Sequence, residues 1–389
     1  MNVLCYYAGM LPELLHKAMG QIPLHLAREV GWSARLVYHQ LVPDPVLVPE
    51  GFEDDVALEC LGSQPTRWEA FRSFLPVLIR EAPHTDVFLQ YHLSLEMMVY
   101  AAVYKALRPD GVCALKLDMD SRALEAFDAR ASLKQRLLLE ALGVTPFDFA
   151  TIETHAIERA IAPTFARLDK PLHYLPVGHP CEPPLDLDEV LAGKENLILV
   201  TGRIGMPQKH HELLLDALVE LGAEALGDWR AMIVGRRTEA FDAYVARLRA
   251  DHPRVMAKVE LRDFVADRAE IHAIYRRARV FVLSSRWESF GTVLVEAGYH
   301  GCFLVSTEVG GAPDVTDDGR DGLLFPIEDR AALASHLRAI IAGEVDTAAG
   351  SRRVHARIRE QFSWAGVARR LASMTAAARA LRPPGPTTA

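Results

Sequence analysis

Two hydrophobic rhythms alternate along this chain. Short, branched apolar runs read as buried strands, and stretches with apolar positions three and four apart read as helices. In the front half the strand pattern falls at Val3–Tyr7, Ser33–His39, Val87–Gln90, Val112–Leu117, Phe149–Ile152 and His173–Pro176. The helical pattern falls at Pro23–Val30, where Ile22, Leu26 and Val30 share a face and Gly31 is the stop. It returns at Thr66–Ile79, with Pro76 expected to kink or end the helix, at Leu95–Leu107 before Arg108-Pro109, and at Arg130–Leu142. Gly9–Gly20 reads as a long loop with room for a helical turn and with Gly20 just ahead of a helix, and the proline- and acid-rich stretch 41–64 reads as irregular.

The back half restarts the same alternation. Strands are predicted at Leu197–Val200, Ala231–Gly235, Val259–Leu261, Val280–Leu283 and Phe303–Ser306. Helices are predicted at Glu212–Leu221, Phe241–Ala250, Thr292–His300, Asp329–Ile341 and Gly366–Leu381, ahead of a Pro/Thr tail expected to fray, while Asp267–Arg276 leads into the strand at Val280. Strand–helix alternation throughout implies parallel, doubly wound α/β sheets. A length of 389 residues suggests two domains. Prolines in Gly178-His-Pro-Cys-Glu-Pro-Pro184 place the linker. The expected division is 1–180, 181–365, and a closing segment 366–389.

The chemistry is densest in 279–326. Ser284–Gly291 forms a polar loop at the carboxyl end of a strand, where open α/β sheets bind ligands. Glu288 lies in that loop and Glu296 inside the following helix. A wholly helical path would separate them by roughly 12 Å along the axis, at about 1.5 Å per residue. A glycosidase carboxylate pair faces one bond across roughly 5–9.5 Å. The two acids are therefore expected to address different parts of one elongated ligand. The free N–H groups of a helix start lie between them and suit an anion. A phosphate-bearing ligand gripped by an acid near each end suggests a sugar nucleotide.

Ser285-x-x-Glu288-x-Phe290-Gly291 followed by Glu296 resembles the E-x7-E signature of retaining family-4 glycosyltransferases with the GT-B fold. The run Val309-Gly-Gly-Ala-Pro-Asp-Val-Thr-Asp-Asp-Gly-Arg-Asp-Gly322-Leu-Leu-Phe-Pro326 resembles that family too. The resemblance implies two Rossmann-like domains facing an interdomain cleft, with the last helix crossing back to the N-terminal acceptor domain. It implies a UDP- or GDP-sugar donor, an acceptor hydroxyl, and a role in polysaccharide, glycolipid or glycoconjugate synthesis. Arg203 and Lys209 match the family's diphosphate-binding pair; they would stabilise the leaving group in place of a metal, so no cofactor or metal is expected. Glu296 would accept from the ribose hydroxyls, and Glu288 would hold donor-sugar hydroxyls near the reacting carbon. The N–H groups of Ser289, Phe290, Gly291 and Thr292 would meet the diphosphate or sugar, with Gly202 opening the basic loop. Gly20 stands where the family carries a donor-facing glycine loop, Met19-Gly20 replacing the usual pair of glycines. Pro176-Val-Gly178 replaces the family's Pro-Asn-Gly. Asp118 stands where many relatives have a histidine touching the donor sugar; it would bind a sugar hydroxyl or activate the acceptor. His92, ending a strand, is a candidate general base.

Composition narrows the alternatives. A net charge of −8 supplies no global field for nucleic acid. The five cysteines show no C-x2-C spacing, so neither a zinc ribbon nor a redox dithiol is suggested. Met1-Asn-Val-Leu-Cys-Tyr-Tyr reads as a first strand rather than a signal peptide, and the chain has no apolar run of spanning length. A cytoplasmic protein is expected, with peripheral membrane contact left open through Phe71, Phe74, Arg72, Arg80, Arg130, Lys134 and Arg136. Asp118-Met-Asp120 also suits a metal-dependent GT-A transferase, which would leave the second domain unexplained. Lys209-His-His211-Glu212 hints at metal, but adjacent histidines leave a helix on different faces. A non-catalytic sugar-nucleotide binder and a GT-B epimerase or phosphorylase remain as alternatives.

Overall fold

The computed structural model describes residues 1–127 and 140–381. The chain divides into two compact units, one of Met1–Gly178 with Trp364 onward and one of His179–Ser363.

In the first unit the strands are β1 (Asn2–Met10), β2 (Ser33–Gln40), β3 (Val56–Ser63), β4 (Val87–Tyr91), β5 (Val112–Lys116), β6 (Phe149–Ile152) and β7 (Leu172–Tyr174). They form one sheet in the order β3-β2-β1-β4-β5-β6-β7, every neighbouring pair parallel. In the second unit β8 (Glu195–Thr201), β9 (Arg230–Val234), β10 (Val259–Arg262), β11 (Ala278–Leu283), β12 (Phe303–Thr307) and β13 (Leu323–Phe325) run β10-β9-β8-β11-β12-β13, again all parallel. These are two Rossmann-like units of the GT-B fold class. In each, the strand order reverses beside the first strand: between β1 and β4, and between β8 and β11. Loops leaving two such neighbours diverge and open a crevice at their carboxyl ends.

Burial explains why the central strands are legible. Val280, Phe281 and Val282 are wholly buried, and Val280 and Val282 continue the core formed by Ile198, Val200, Ile233 and Val305. Strands covered on both faces read as continuous apolar runs. The Leu95–Leu107 helix starts on Ser94, whose side chain accepts from Met97 N–H, and packs Met97, Tyr100, Ala101 and Tyr104 into the first core.

Several expectations are corrected. The 41–64 stretch is not irregular: it holds a short helix, Phe52–Asp55, and the edge strand β3. β3 was illegible because it covers one neighbour only and mixes exposed Ala57, Cys60 and Gly62 with acidic Glu59. The loop ahead of Gly20 is shorter than expected. The helix begins at Ala18, so Gly20 lies inside its first turn. A Cβ there would come within 2.4 Å of Leu15 O, so the glycine serves a close backbone approach. Pro76 does not end its helix. Thr66 and Glu69 form a reciprocal capping box, and the helix runs from Arg67 to Glu81. The helices His155–Arg167 and Thr347–Gln361 were not foreseen. The expected helix Arg130–Leu142 lies almost wholly outside the described residues, as do Arg130, Lys134 and Arg136. Phe74 is no surface residue; it is fully buried and stacks 3.6 Å from Tyr6. Arg80 is tied to Glu59 and Glu81. The last helix, Trp364–Ala380, belongs to the first unit, where Arg369 pairs with Glu29 at 2.9 Å. Among the described residues no helix is long and apolar enough to cross a membrane.

Candidate active site

The switch point of the second sheet brings together two loops distant in sequence. One follows β8 and holds Gly202, Arg203 and Lys209. The other follows β11 and holds Ser284–Gly291. Backbone and side-chain bonds stitch them: Arg286 N–H donates to Gln208 O at 2.8 Å, Gln208 Nε2 to Trp287 O at 2.9 Å, and Ser284 Oγ to His210 O at 2.9 Å. The crossing sets Lys209 Nζ 2.5 Å from Glu288 Oε1, across 79 positions of sequence.

Glu288 is 7 % exposed. It also accepts from Ser285 Oγ at 2.6 Å, and the Ser285 carbonyl is held by Thr307 Oγ1 at 2.7 Å. The pairing and the hydrogen bond offset the cost of taking this carboxylate out of water. The Gly310-Gly311 pair packs against the same loop. Gly310 has φ +55, and a Cβ on it would lie 2.6 Å from Phe290 O and 2.8 Å from Glu288 Cβ. A Cβ on Gly311 would strike the Phe290 ring at 2.5 Å. Gly310→Ala is expected to cost roughly 1–3 kcal/mol through strain and overpacking and to lower turnover with it. Urea unfolding together with a transfer assay checks this; parent-like values in both would show that the pair does not set the Glu288 loop.

The helix Thr292–Tyr299 begins from Gly291 in the left-handed region, φ +92. Its first-turn N–H groups face the loop end of the sheet and give the site a positive end. Phe290 contributes backbone only. Its side chain is 2 % exposed and packs on Phe362, 5.8 Å between ring centroids. Ser289 and Thr292 are partly exposed. Inside the helix, Glu296 Oε2 accepts from Tyr275 O–H at 3.2 Å, and that hydroxyl also meets Thr201 Oγ1 at 2.9 Å. Arg268 stands 3.6 Å from the other Glu296 oxygen. Arg203 is exposed and donates to Gln208 Oε1 at 3.2 Å. Tyr275, Gln208 and Arg268 were missed by sequence reasoning, because each reaches the site only through the fold; Ser285 stood in the motif, but its bond to Glu288 did not show in the spacing.

Gly20, His92 and Asp118 belong to the first unit. Gly20 is in a helix, as described above. His92 follows β4 with φ +63, and its Nε2 is 3.3 Å from Tyr7 Oη. Burial lowers its pKa, Asp118 opposing the fall and Lys116 adding to it. Asp118 follows β5 and is partly exposed. Asp120 is engaged by Arg122 through both carboxylate oxygens, at 3.2 and 2.6 Å. That pairing leaves Asp118-Met-Asp120 poorly suited to share a metal.

A further trio, His179, His272 and His300, brings ring nitrogens within 4.8 Å of one another. Cys181 N–H donates to His179 Nδ1 at 3.0 Å. That bond places the ring proton on Nε2 and removes the lone pair a metal would need. Arg268 and Arg276 add positive charge nearby. The trio packs instead around Tyr299 and Tyr275.

Residues 195–343 match the family described as "Glycosyl transferases group 1". The second unit carries a group 1 glycosyltransferase region. That group 1 region holds every second-unit residue named in this subsection except His179, Cys181 and Phe362. Among curated relatives, the chain is 29 % identical over 203 residues to the lipopolysaccharide core biosynthesis mannosyltransferase LpsB of Rhizobium meliloti, covering 50 % of this chain and 56 % of LpsB. It is 35 % identical over 159 residues to the phosphatidyl-myo-inositol mannosyltransferase of Mycobacterium leprae, covering 40 % of each. The chain thus spans about half the length, or less, of these relatives. Among solved structures, Anabaena Alr3699/HepE in complex with UDP superposes with a TM-score of 0.71 at 18 % identity, covering 97 % of this chain and 100 % of that one. At that identity the likeness speaks for the fold of both units.

Proposed function

We propose that this protein is a retaining glycosyltransferase of family-4 type that moves a sugar from a nucleoside-diphosphate donor to an acceptor hydroxyl. The observation that carries the reading is the Lys209–Glu288 crossing at the switch point, beside the start of the helix that holds Glu296. Few other functions need a buried, paired acid, a lysine and a helix N-terminus at one sheet edge, with a second acid held in place by a tyrosine.

In the reaction the bond between the sugar's anomeric carbon and the diphosphate oxygen breaks, and both electrons leave with the diphosphate. Lys209, Arg203 and the N–H groups at Gly291–Thr292 bind the charge that accumulates there, more strongly in the transition state than before it. Glu288 accepts hydrogen bonds from donor-sugar hydroxyls and fixes the anomeric carbon. Glu296, braced by Tyr275 and Arg268, accepts from the ribose hydroxyls. The acceptor oxygen enters on the face the diphosphate leaves, and its proton passes to the departing phosphate oxygen. These cations do the work a metal ion does elsewhere, so the reading includes metal independence.

The names of the relatives support a glycan or glycolipid acceptor, and the UDP in Anabaena Alr3699/HepE supports a uridine donor among the UDP- and GDP-sugars. The assignment includes a cytoplasmic protein meeting its acceptor at a membrane face. A thermal-shift screen of UDP-, GDP- and ADP-sugars, each with EDTA, tests it, because a ligand of the native state raises Tm. Glu296→Ala is expected to weaken nucleotide binding about tenfold or more while Tm stays near the parent value. Arg203→Ala is expected to lower kcat more than donor affinity. Transfer at the parent rate by both variants, or turnover only with added metal, would overturn the site as drawn.

A further inference from the structure

The trio of His179, His272 and His300 is a poor metal site, yet its ring nitrogens need a partner. His179 and His300 are 2 % and 3 % exposed. Cys181 N–H occupies His179 Nδ1 at 3.0 Å, so the ring proton of His179 is on Nε2. That N–H is buried and has no acceptor among the described residues. Both nitrogens of His300 are in the same state, so one of them is a second such donor whichever tautomer the ring takes. His272 Nε2 is also buried without a partner among the described residues. The rings lie close together. The centroid of His300 is 4.5 Å from that of His272 and 5.9 Å from that of His179. His179 is fixed by its backbone N–H, which donates to Phe362 O at 2.7 Å. Buried donors without acceptors are costly, and these fall within one 4.8 Å span.

Charge says what the donors face. Arg268, His272 and Arg276 stand four apart in the helix Arg268–Arg277 and so share one side of it. Arg276 is half-buried and has no ion pair or hydrogen bond among the described residues. Lys194, 7 % exposed, donates to Tyr275 O at 2.9 Å and to His300 O at 2.7 Å, both neutral carbonyls. The charges of Arg276 and Lys194 act on His300, and that of Arg268 acts on His179 and His272. Asp267 opposes them at His272, and Glu296 is already engaged by Arg268 at 3.6 Å and by Tyr275. Positive charge therefore outweighs negative around the trio. A water would satisfy the donors and leave Arg276 without a counter-charge. A phosphate or sulfate dianion meets a far larger desolvation cost, because that cost rises with the square of the charge.

We propose that the histidine trio and the Arg276 guanidinium form a buried binding site for one monovalent inorganic anion, of the kind of chloride. The ion accepts from the ring N–H groups and balances Arg276. It ties the helix that carries Arg268 and Tyr275, the two braces of Glu296, to His179 and His300. The site is independent of the transferase reading, and its failure would leave that reading standing.

The purified protein is titrated with sodium chloride at pH 7.5, with sodium gluconate holding the ionic strength constant. Tm should rise saturably by about 2–4 °C, because an ion bound to the native state alone shifts the folding equilibrium. Bromide should act as chloride does. Arg276→Met and His179→Phe should each remove most of the rise. If neither variant folds, crystals of the parent in sodium bromide decide the matter, with one bromide anomalous peak expected among the three rings. A Tm indifferent to chloride at constant ionic strength, a parent-like response in a folded variant, or water at the bromide position would overturn the proposal. Stabilisation by phosphate and not by chloride would overturn it as well, and so would stabilisation by zinc that EDTA reverses.

Discussion

Lys209→Met is expected to lower glycosyl transfer by about 10²–10³-fold, the scale seen when one preorganised donor to a developing negative charge is removed. It should also destabilise the second unit. Glu288 would keep its Ser285 bond at 2.6 Å but lose its counter-ion, and breaking a buried pair from one side costs up to about 3–5 kcal/mol. The two losses separate in Lys209→Met/Glu288→Gln. Neutralising both partners should recover most of the stability while transfer stays low, because the lysine is needed by the leaving diphosphate rather than by the fold. Urea unfolding and single-turnover transfer measure the two effects. Recovery of transfer in the double variant would show that Lys209 serves only to neutralise Glu288.

Acid should unfold this protein early. His179 and His300 are 2 % and 3 % exposed, and burial is the first cause holding their pKa values down to about 3 and about 2, with neighbouring histidines and arginines adding to the fall. In the unfolded chain both return to about 6.5. A folded-state pKa below the unfolded one means that the unfolded chain binds more protons in between. The stabilisation is complete above about pH 6.5 and is lost as pH falls toward the folded-state values. Each group contributes a slope of about 1.4 kcal/mol per pH unit in that window. Two groups from pH 6.5 to pH 5 amount to about 4 kcal/mol, a large share of a typical domain's stability. Urea midpoints at pH 7.5, 6 and 5 should fall at least accordingly, since burial also lowers the pKa values of His25, His211 and His272, and His300→Phe should make the profile shallower. A flat profile across that window would mean that the two rings are hydrated or charged in the folded protein.

Much of the fold was legible because central parallel strands are buried on both faces. Leu95–Leu107 and Phe149–Ile152 stand where their spacing placed them, as does the start of the Thr292–Tyr299 helix at Gly291. What failed was one-sided or local. β3 at the sheet edge has no continuous apolar run, Pro76 is tolerated inside a capped helix, and Gly20 serves a backbone contact with Leu15 rather than a loop.

The chain's own order of residues determined the two α/β halves and the span in which the acids, the glycine turn and the Gly-Gly-x-Pro run lie together, because strand and helix periods and helix-start signals are local. Tertiary structure decided which groups meet. Lys209 reaches Glu288, Tyr275 holds Glu296, and Lys116 pairs with Glu153 only because β8 lies beside β11 and β5 beside β6. Adjacency in a sheet follows from long-range burial, and sequence spacing does not encode it.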